Sequence, residues 1–354
     1  MCALLIPTSM VRCASFLDDA DNMKVTDSPA FKASRQYTKA SYLKALFHFG
    51  HTIGLFFVTI GLMFATLQVH YGLTLLLSVV AATAYLRLFM IGHDCGHGSY
   101  LPKKWQNERL GELIGVLTGT PFKYWARQHA KHHSTTGNLD KRGEGDVITK
   151  TVEEFNKSGR FAQICYRFYR NPWFMLLVSA PVHFVLLQRL PLGDQMKTRE
   201  GWISVMGTNF GIFCYYGSLI AIFGLVPFLM VYIPVVMLSS AAAIWLFYVQ
   251  HQFEGAYWNR KETWTYEQAT LTGSSFYNLP RWLHWATGNI GYHHIHHLNP
   301  KVPGYQLPDC FDENPVLQKA KYLSIRESLA TAKLALWDEN AQRLISFKDS
   351  SKQT

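Results

Sequence analysis

The chain has 354 residues, 49% hydrophobic and 16% charged, with a formal net charge of +10. A charged share well below the soluble average of about 25% argues against an ordinary soluble domain. The positive balance suits anionic lipid headgroups or an acidic protein partner, and no nucleic-acid motif accompanies it, which argues against a nucleic-acid binder.

The first forty residues are polar, mixed in charge and aperiodic. They predict a mobile cytoplasmic tail over 1–40. The apolar stretch at 3–6 is closed by Pro7 and is too short for a signal-peptide core. One membrane-integrated domain over 41–345 follows, with no repeat or heptad run to divide it, and then a short tail over 346–354. Residues 46–67 and 72–91 are the first two apolar blocks, each near the ~20 residues needed to cross a bilayer. The link between them carries no Lys or Arg. Arg87, near the end of the second block, either snorkels to the interface or pairs inside the protein. Just beyond, an HDCGH string sets His93 and His97 at i and i+4.

Residues 110–121 predict an interfacial stretch. An HAKHH string then sets His129, His132 and His133 at i, i+3 and i+4, and the segment 137–143 is rich in loop residues. A further apolar stretch, 172–190, is interrupted by Pro181 and His183. A single crossing there would carry the rest of the chain to the opposite side, so an in-plane or partly immersed helix pair is expected. Residues 203–223 and 227–249 are the third and fourth spans, joined by an uncharged GLVP turn. His251 ends the fourth. An HHIHH string sets His293, His296 and His297 at i, i+3 and i+4, and Asn299-Pro300 stops that helix.

Lys and Arg gather before the first span, in the middle region and after the fourth span. The positive-inside rule therefore places both termini, the middle region and all three histidine strings in the cytoplasm. The predicted fold is all-α: a polytopic membrane protein with four transmembrane helices, interfacial helices and a cytoplasmic histidine-rich cap.

On a helix, the offsets i, i+3 and i+4 bring the rings of one string to one face. Chance predicts only about 0.03 HxxHH matches in a chain of this length, so two of them beside an HxxxH are a specific signal. Imidazole suits iron, zinc, copper and nickel. Eight ligands are too many for one metal, since a catalytic zinc takes about three protein ligands and a structural one about four. Eight or nine imidazoles suit two metals, and His251 is the best ninth candidate by its place at the end of the fourth span. Nitrogen-rich ligation favours iron or copper as a redox metal, with zinc possible but redox-inert.

Six cysteines lie in separate segments without a CxxC pair, so neither a disulfide framework nor an iron–sulfur or cysteine–zinc site is indicated. Asp94, Asp140, Glu144, Asp146, Glu254 and Asn289 are near enough in sequence to orient the imidazoles. His48, His51, His70, His183 and His284 have no partner at ligand spacing and read as structural. His294 sits about a hundred degrees round the helix from His293 and is left out of the ligand set.

The three strings on a four-span scaffold resemble the membrane fatty acid desaturases. Longer strings narrow the likeness: GNLDKRGEGD at 137–146, WLFYVQH at 245–251, GSSFY at 273–277, TGNIGYH at 287–293 and LWDE at 336–339 look like the bacterial acyl-lipid desaturases, especially the cold-inducible phospholipid type of bacilli. The resemblance runs from about residue 40 to about 347. It implies a non-haem centre of two iron ions held by His93, His97, His129, His132, His133, His293, His296 and His297, with His251 as a further ligand. It also implies O2 as co-substrate and a cis double bond placed in the acyl chains of membrane phospholipids in the plasma membrane. Position Δ5 is favoured, with Δ9 or Δ12 possible. No haem, flavin or nicotinamide motif is present, so an external donor, ferredoxin or flavodoxin, is expected. A lipid hydroxylase built on the same centre is the alternative within this chemistry. A metal transporter or sensor is the alternative outside it, and would place ligands along a path through the spans.

Overall fold

A computed structural model describes residues 24–142, 146–190 and 198–352. Four helices are long and apolar enough to cross a membrane: α1 (Tyr42–Thr66), α2 (Tyr71–His97), α5 (Arg199–Phe223) and α6 (Leu225–His251). Between the two pairs lie α3 (Lys104–Leu117) and α4 (Phe122–Thr135). Beyond α6 come α7 (Arg281–Ala286) and α8 (His293–Leu298). The predicted spans coincide with the observed helices, the first running one residue past the end of α1. At 25–27 residues and 1.5 Å per residue, these helices outrun the ~30 Å hydrocarbon core. The C-terminal ends of α2 and α6 carry His93, His97 and His251 beyond the apolar runs.

Short turns pair the spans antiparallel. His70 accepts the Gly72 N–H at 3.0 Å through Nδ1 and so caps α2. Gly224 turns α5 into α6 at φ +87°, a left-handed conformation that suits glycine. A shared core of Phe56, Met63, Ala81, Leu88, Val231 and Val235 joins α1, α2 and α6.

The stretch 172–190 is irregular, as its proline suggests. It follows the helix Arg160–Tyr169, and the two segments bend by 60° at their break, as a broken span or a re-entrant loop would. The histidines on α4 and α8 meet in one place (below). With α5 and α6 each crossing once between them, the bent pair must begin and end on the same side of the membrane. The expected interfacial stretch at 110–121 is the end of α3 and its turn into α4.

Small strands, absent from the all-α expectation, tie the cap together. They are β1 (Lys150–Thr151), β2 (Phe276–Asn278), β3 (Tyr322–Ser324), β4 (Leu334–Asp338) and β5 (Arg343–Ser346). They form a sheet of order β1-β4-β5 and a parallel pair β2-β3.

Residues 1–23 lie outside the described residues; from Val25 the chain packs against the segment that carries the third histidine string. Val25, Ala30 and Tyr37 are buried against Ile295, Leu298 and Phe311. Ser34 Oγ accepts from Asn299 Nδ2 at 2.9 Å, and Tyr37 OH donates to Glu313 at 2.5 Å. The helical propensity of 29–37 was masked by its polar surface. At the other end Ser346 closes β5, and Phe347 packs on Phe155 and Tyr166. Arg87 has partners inside the protein. It is buried, with Nε donating to Thr52 Oγ1 at 3.3 Å and Nη2 3.2 Å from His51 Nε2.

Candidate metal centre

Four helix ends deliver nine histidines to one place. The apolar run of α2 ends at Ile91, and His93 and His97 lie in the last turns of the helix beyond it. His251 is the last residue of α6. His129, His132 and His133 ride on α4, and His293, His296 and His297 on α8.

The nine fall into two groups. His93, His97, His129, His133 and His296 can each offer a ring nitrogen within 4.8 Å of the others, and so can His132, His251, His293 and His297. The strings do not map one to one onto these groups. His132 parts from His133, and His296 parts from His297. Residues at i+3 and i+4 diverge by about 100° round a helix, so one string serves two centres.

Ring nitrogens that face one another lie at ligand spacing. The Nε2 atoms are 3.2 Å apart for His132 and His251, 2.9 Å for His293 and His251, 3.1 Å for His133 and His129, and 3.1 Å for His296 and His133. Two imidazoles bound at about 2.1 Å and at right angles to one cation would be separated by about 3 Å.

Protonation sharpens the point. His132 Nδ1 lies 2.5 Å from Asp146 Oδ1, and His251 Nδ1 lies 3.3 Å from the Gly273 carbonyl. Both partners accept, so in the neutral rings both hydrogens sit on Nδ1 and two bare Nε2 lone pairs confront each other. Buried His97 Nε2 and His297 Nε2 have no protein partner among the described residues. Bare, buried and convergent nitrogens fit metal cations. Burial, reinforced by the neighbouring imidazoles, holds the pKa of His129, His133, His293, His296 and His297 well below the ordinary histidine value, so these rings stay neutral as ligation requires.

Of the expected orienting groups, two face the histidines. Asp146 holds His132, and Asp94 Oδ1 lies 3.1 Å from His93 Nδ1 while its Oδ2 accepts the Gly304 N–H at 2.6 Å. The rest serve elsewhere. Asp140 accepts from Arg260 and from the Lys261 N–H, Glu254 pairs with Arg343, and Asn289 donates to the Gly304 carbonyl. Glu144 lies outside the described residues. His294 points away from both groups, its Nε2 3.0 Å from the Leu317 carbonyl.

Sequence reasoning missed several supports. Lys301 Nζ donates to the His97 carbonyl at 2.7 Å. Arg170, fully enclosed, reaches Gln252 Oε1 at 2.9 Å, Leu334 O at 2.8 Å and Tyr248 OH at 3.2 Å, and so anchors the end of α6 around His251. The loop after α4 pairs with the segment after α6: Leu139 N–H donates to Asn259 O at 2.9 Å and Asn259 N–H to Gly137 O at 2.8 Å. A Pro-Gly pair at 303–304 was the one available signal for the Asp94 clasp. Trp125 stacks on His129, and Phe247 lies 5.0 Å from His132 and 5.1 Å from His251, walling the histidines with apolar rings.

The model of the fatty acid desaturase family matches residues 69–328. A fatty acid desaturase of Bacillus subtilis (strain 168) is 41% identical over 312 residues, which cover 88% of this chain and 87% of that one. The sn-1 acyl-lipid omega-3 desaturase (ferredoxin) of Nostoc sp. (strain 36) is 28% identical over 245 residues, covering 65% of this chain and 64% of that one. The sn-1 oleoyl-lipid 12-desaturase of Arthrospira platensis is 25% identical over 232 residues, covering 65% and 64%. The spans, the histidine groups and these likenesses agree, and the chain belongs to the fatty acid desaturase family, whose members are oxidoreductases acting on fatty acyl chains.

Proposed function

We propose that the two histidine groups hold two iron ions, and that the protein uses them with O2 to place a cis double bond in the acyl chains of membrane phospholipids. The observation that carries this reading is the pair of imidazole groups, five and four, with ring nitrogens converging within 4.8 Å of one another. Bound iron would supply the oxidising power to remove hydrogen from an unactivated methylene while O2 is reduced to water. The nitrogen-only donor set suits a redox-active first-row metal. His93, His97, His129, His133 and His296 hold one ion, and His132, His251, His293 and His297 the other.

The chain's other residues position and exclude. Asp94 and Asp146 keep the Nδ1 hydrogens of His93 and His132 in place, so that Nε2 is the ligand atom. Trp125 and Phe247 keep water from the rings and offer an apolar wall along which a methylene chain can lie. Two electrons come from the acyl chain and two from a donor. A small acidic carrier, ferredoxin or flavodoxin, suits the basic face, and the Nostoc relative is named for ferredoxin. The Δ5 position is favoured, with Δ9 or Δ12 as alternatives. The plasma membrane is the site of action, with both termini and the histidines cytoplasmic, as the placement of Lys and Arg supports.

The test is mass spectrometry of total fatty acids from a bacterial host expressing the chain, with double bonds located by derivatisation and ferredoxin supplied. A new unsaturated species that disappears with His132→Ala is expected. Hydroxy acids in its place would overturn the desaturase reading. Orientation is tested separately: a single cysteine at Val69, in the exposed turn between α1 and α2, should react with an impermeant thiol reagent from outside the cell.

A further inference from the structure

Arg87 is a buried cation without an anion. It is 4% exposed, and among the described residues it forms no ion pair with a carboxylate. Its protein acceptors are two: Thr52 Oγ1 at 3.3 Å from Nε and His51 Nε2 at 3.2 Å from Nη2. Both are committed to that task. The Thr52 hydroxyl donates to the His48 carbonyl at 2.6 Å, and His51 Nδ1 lies 2.7 Å from the Phe47 carbonyl, which puts the hydrogen on Nδ1 and leaves Nε2 to accept. Trp285 covers the guanidinium face, with Arg87 Cζ 4.2 Å from the ring centroid. A guanidinium has five N–H groups. Three of those on Arg87 have no protein acceptor among the described residues.

An isolated charge in an apolar bundle is costly, and such residues are found paired or at functional positions. The depth of Arg87 says what would pair with it. It stands sixteen residues beyond Tyr71, about 24 Å along α2, close to the far edge of a hydrocarbon core about 30 Å thick. Lipid phosphates lie in the headgroup layer just outside that edge, within reach of a long arginine side chain. The flank opens to lipid: Phe47 is 67% exposed on α1 and Trp285 is 40% exposed on α7, and tryptophan favours this level of the bilayer. His51 stacks against Trp285 at 5.9 Å and lies 5.1 Å from Phe47, so aromatic rings frame the cation on its lipid side.

We propose that Arg87, His51 and Trp285 form a binding site for the phosphate of a membrane glycerophospholipid, with the guanidinium donating to the phosphate oxygens. Arginine's planar donor fork matches phosphate geometry. None of the three residues belongs to either histidine group, and the site needs no metal, so its test is independent of the catalytic reading.

The test is native mass spectrometry of the full chain in detergent, titrated with dioleoyl phosphatidylglycerol, with dioleoylglycerol (the same acyl chains without phosphate) and with inorganic phosphate. Preferential retention of the phosphatidylglycerol is expected, undiminished by millimolar inorganic phosphate. Arg87→Gln should weaken it about ten-fold, and Arg87→Lys should recover part of the loss. Trp285→Leu, which leaves α2 untouched, should weaken retention about three-fold and keeps the test decisive where the Arg87 variants do not fold. Equal retention of dioleoylglycerol, or phosphatidylglycerol binding unchanged in Arg87→Gln and Trp285→Leu, overturns the proposal. Capture of inorganic phosphate with no preference for the lipid overturns the lipid assignment.

Discussion

The Nε2 atoms of His251 and His293 lie 2.9 Å apart, one ring ending a membrane helix and the other beginning the helix of the third histidine string. A residue with no partner at ligand spacing in its own neighbourhood thus falls in one group with rings from α4 and α8. His251→Ala is expected to remove one ligand of four and to leave the purified protein with about half its iron. His294→Ala, which removes a ring bonded to the Leu317 carbonyl, should keep both ions. Iron analysis per protein checks both, and full iron in His251→Ala would remove this residue from the ligand set.

Asp146 offers the carboxylate that keeps hydrogen on His132 Nδ1. Asp146→Asn puts an amide there, a weaker acceptor for that hydrogen. Metal affinity should fall about 10- to 100-fold while the thermal midpoint of the iron-loaded protein at saturating metal changes little. Competition with a chelator reads the affinity directly. An unchanged affinity would mean that Asp146 does not orient His132.

Acid should loosen the metal-free cap. The buried rings of His129, His133, His293, His296 and His297 hold their pKa well below the unfolded value near 6.5, chiefly through desolvation. Below pH 6.5 the unfolded chain therefore binds more protons than the folded one. Stability is present above that pH and is lost as pH falls through it. The thermal midpoint of chelator-stripped protein should drop between pH 7.5 and 5.5, and iron-loaded protein should drop less. A flat profile for the stripped protein would contradict the burial of these rings.

Gly137 closes the turn after α4 at φ +73°, and a Cβ there would stand 2.4 Å from the Tyr257 carbonyl oxygen. Gly137→Ala meets both a left-handed backbone penalty of about 1–2 kcal/mol and a backbone clash, so a loss of at least that size is expected. The same turn pairs with Asn259, just past His251, and the substitution should also lower iron occupancy. Thermal melting and iron content of the one variant test the two claims together.

The local features of this protein were legible in its sequence. The thickness of a bilayer is written into composition, so four apolar blocks located α1, α2, α5 and α6 to within a few residues. The i, i+3, i+4 spacing of histidine is also local, and it marked eight of the nine rings that converge. What only the tertiary structure decided is long-range. Which of two centres a ring faces depends on how α2, α4, α6 and α8 cross, and that crossing sends His132 and His133 to different groups. Of six nearby polar residues, Asp94 and Asp146 meet the histidines, while Asp140 and Glu254 are drawn to Arg260 and Arg343, which lie 120 and 89 positions away. Residues 25–37 read as a tail because their polar surface hides Val25, Ala30 and Tyr37, whose burial needs α8 beside them. The anion-free pocket of Arg87 was undecidable for the same reason: Thr52, His51 and Trp285 come from two other helices, and only their meeting holds the cation inside.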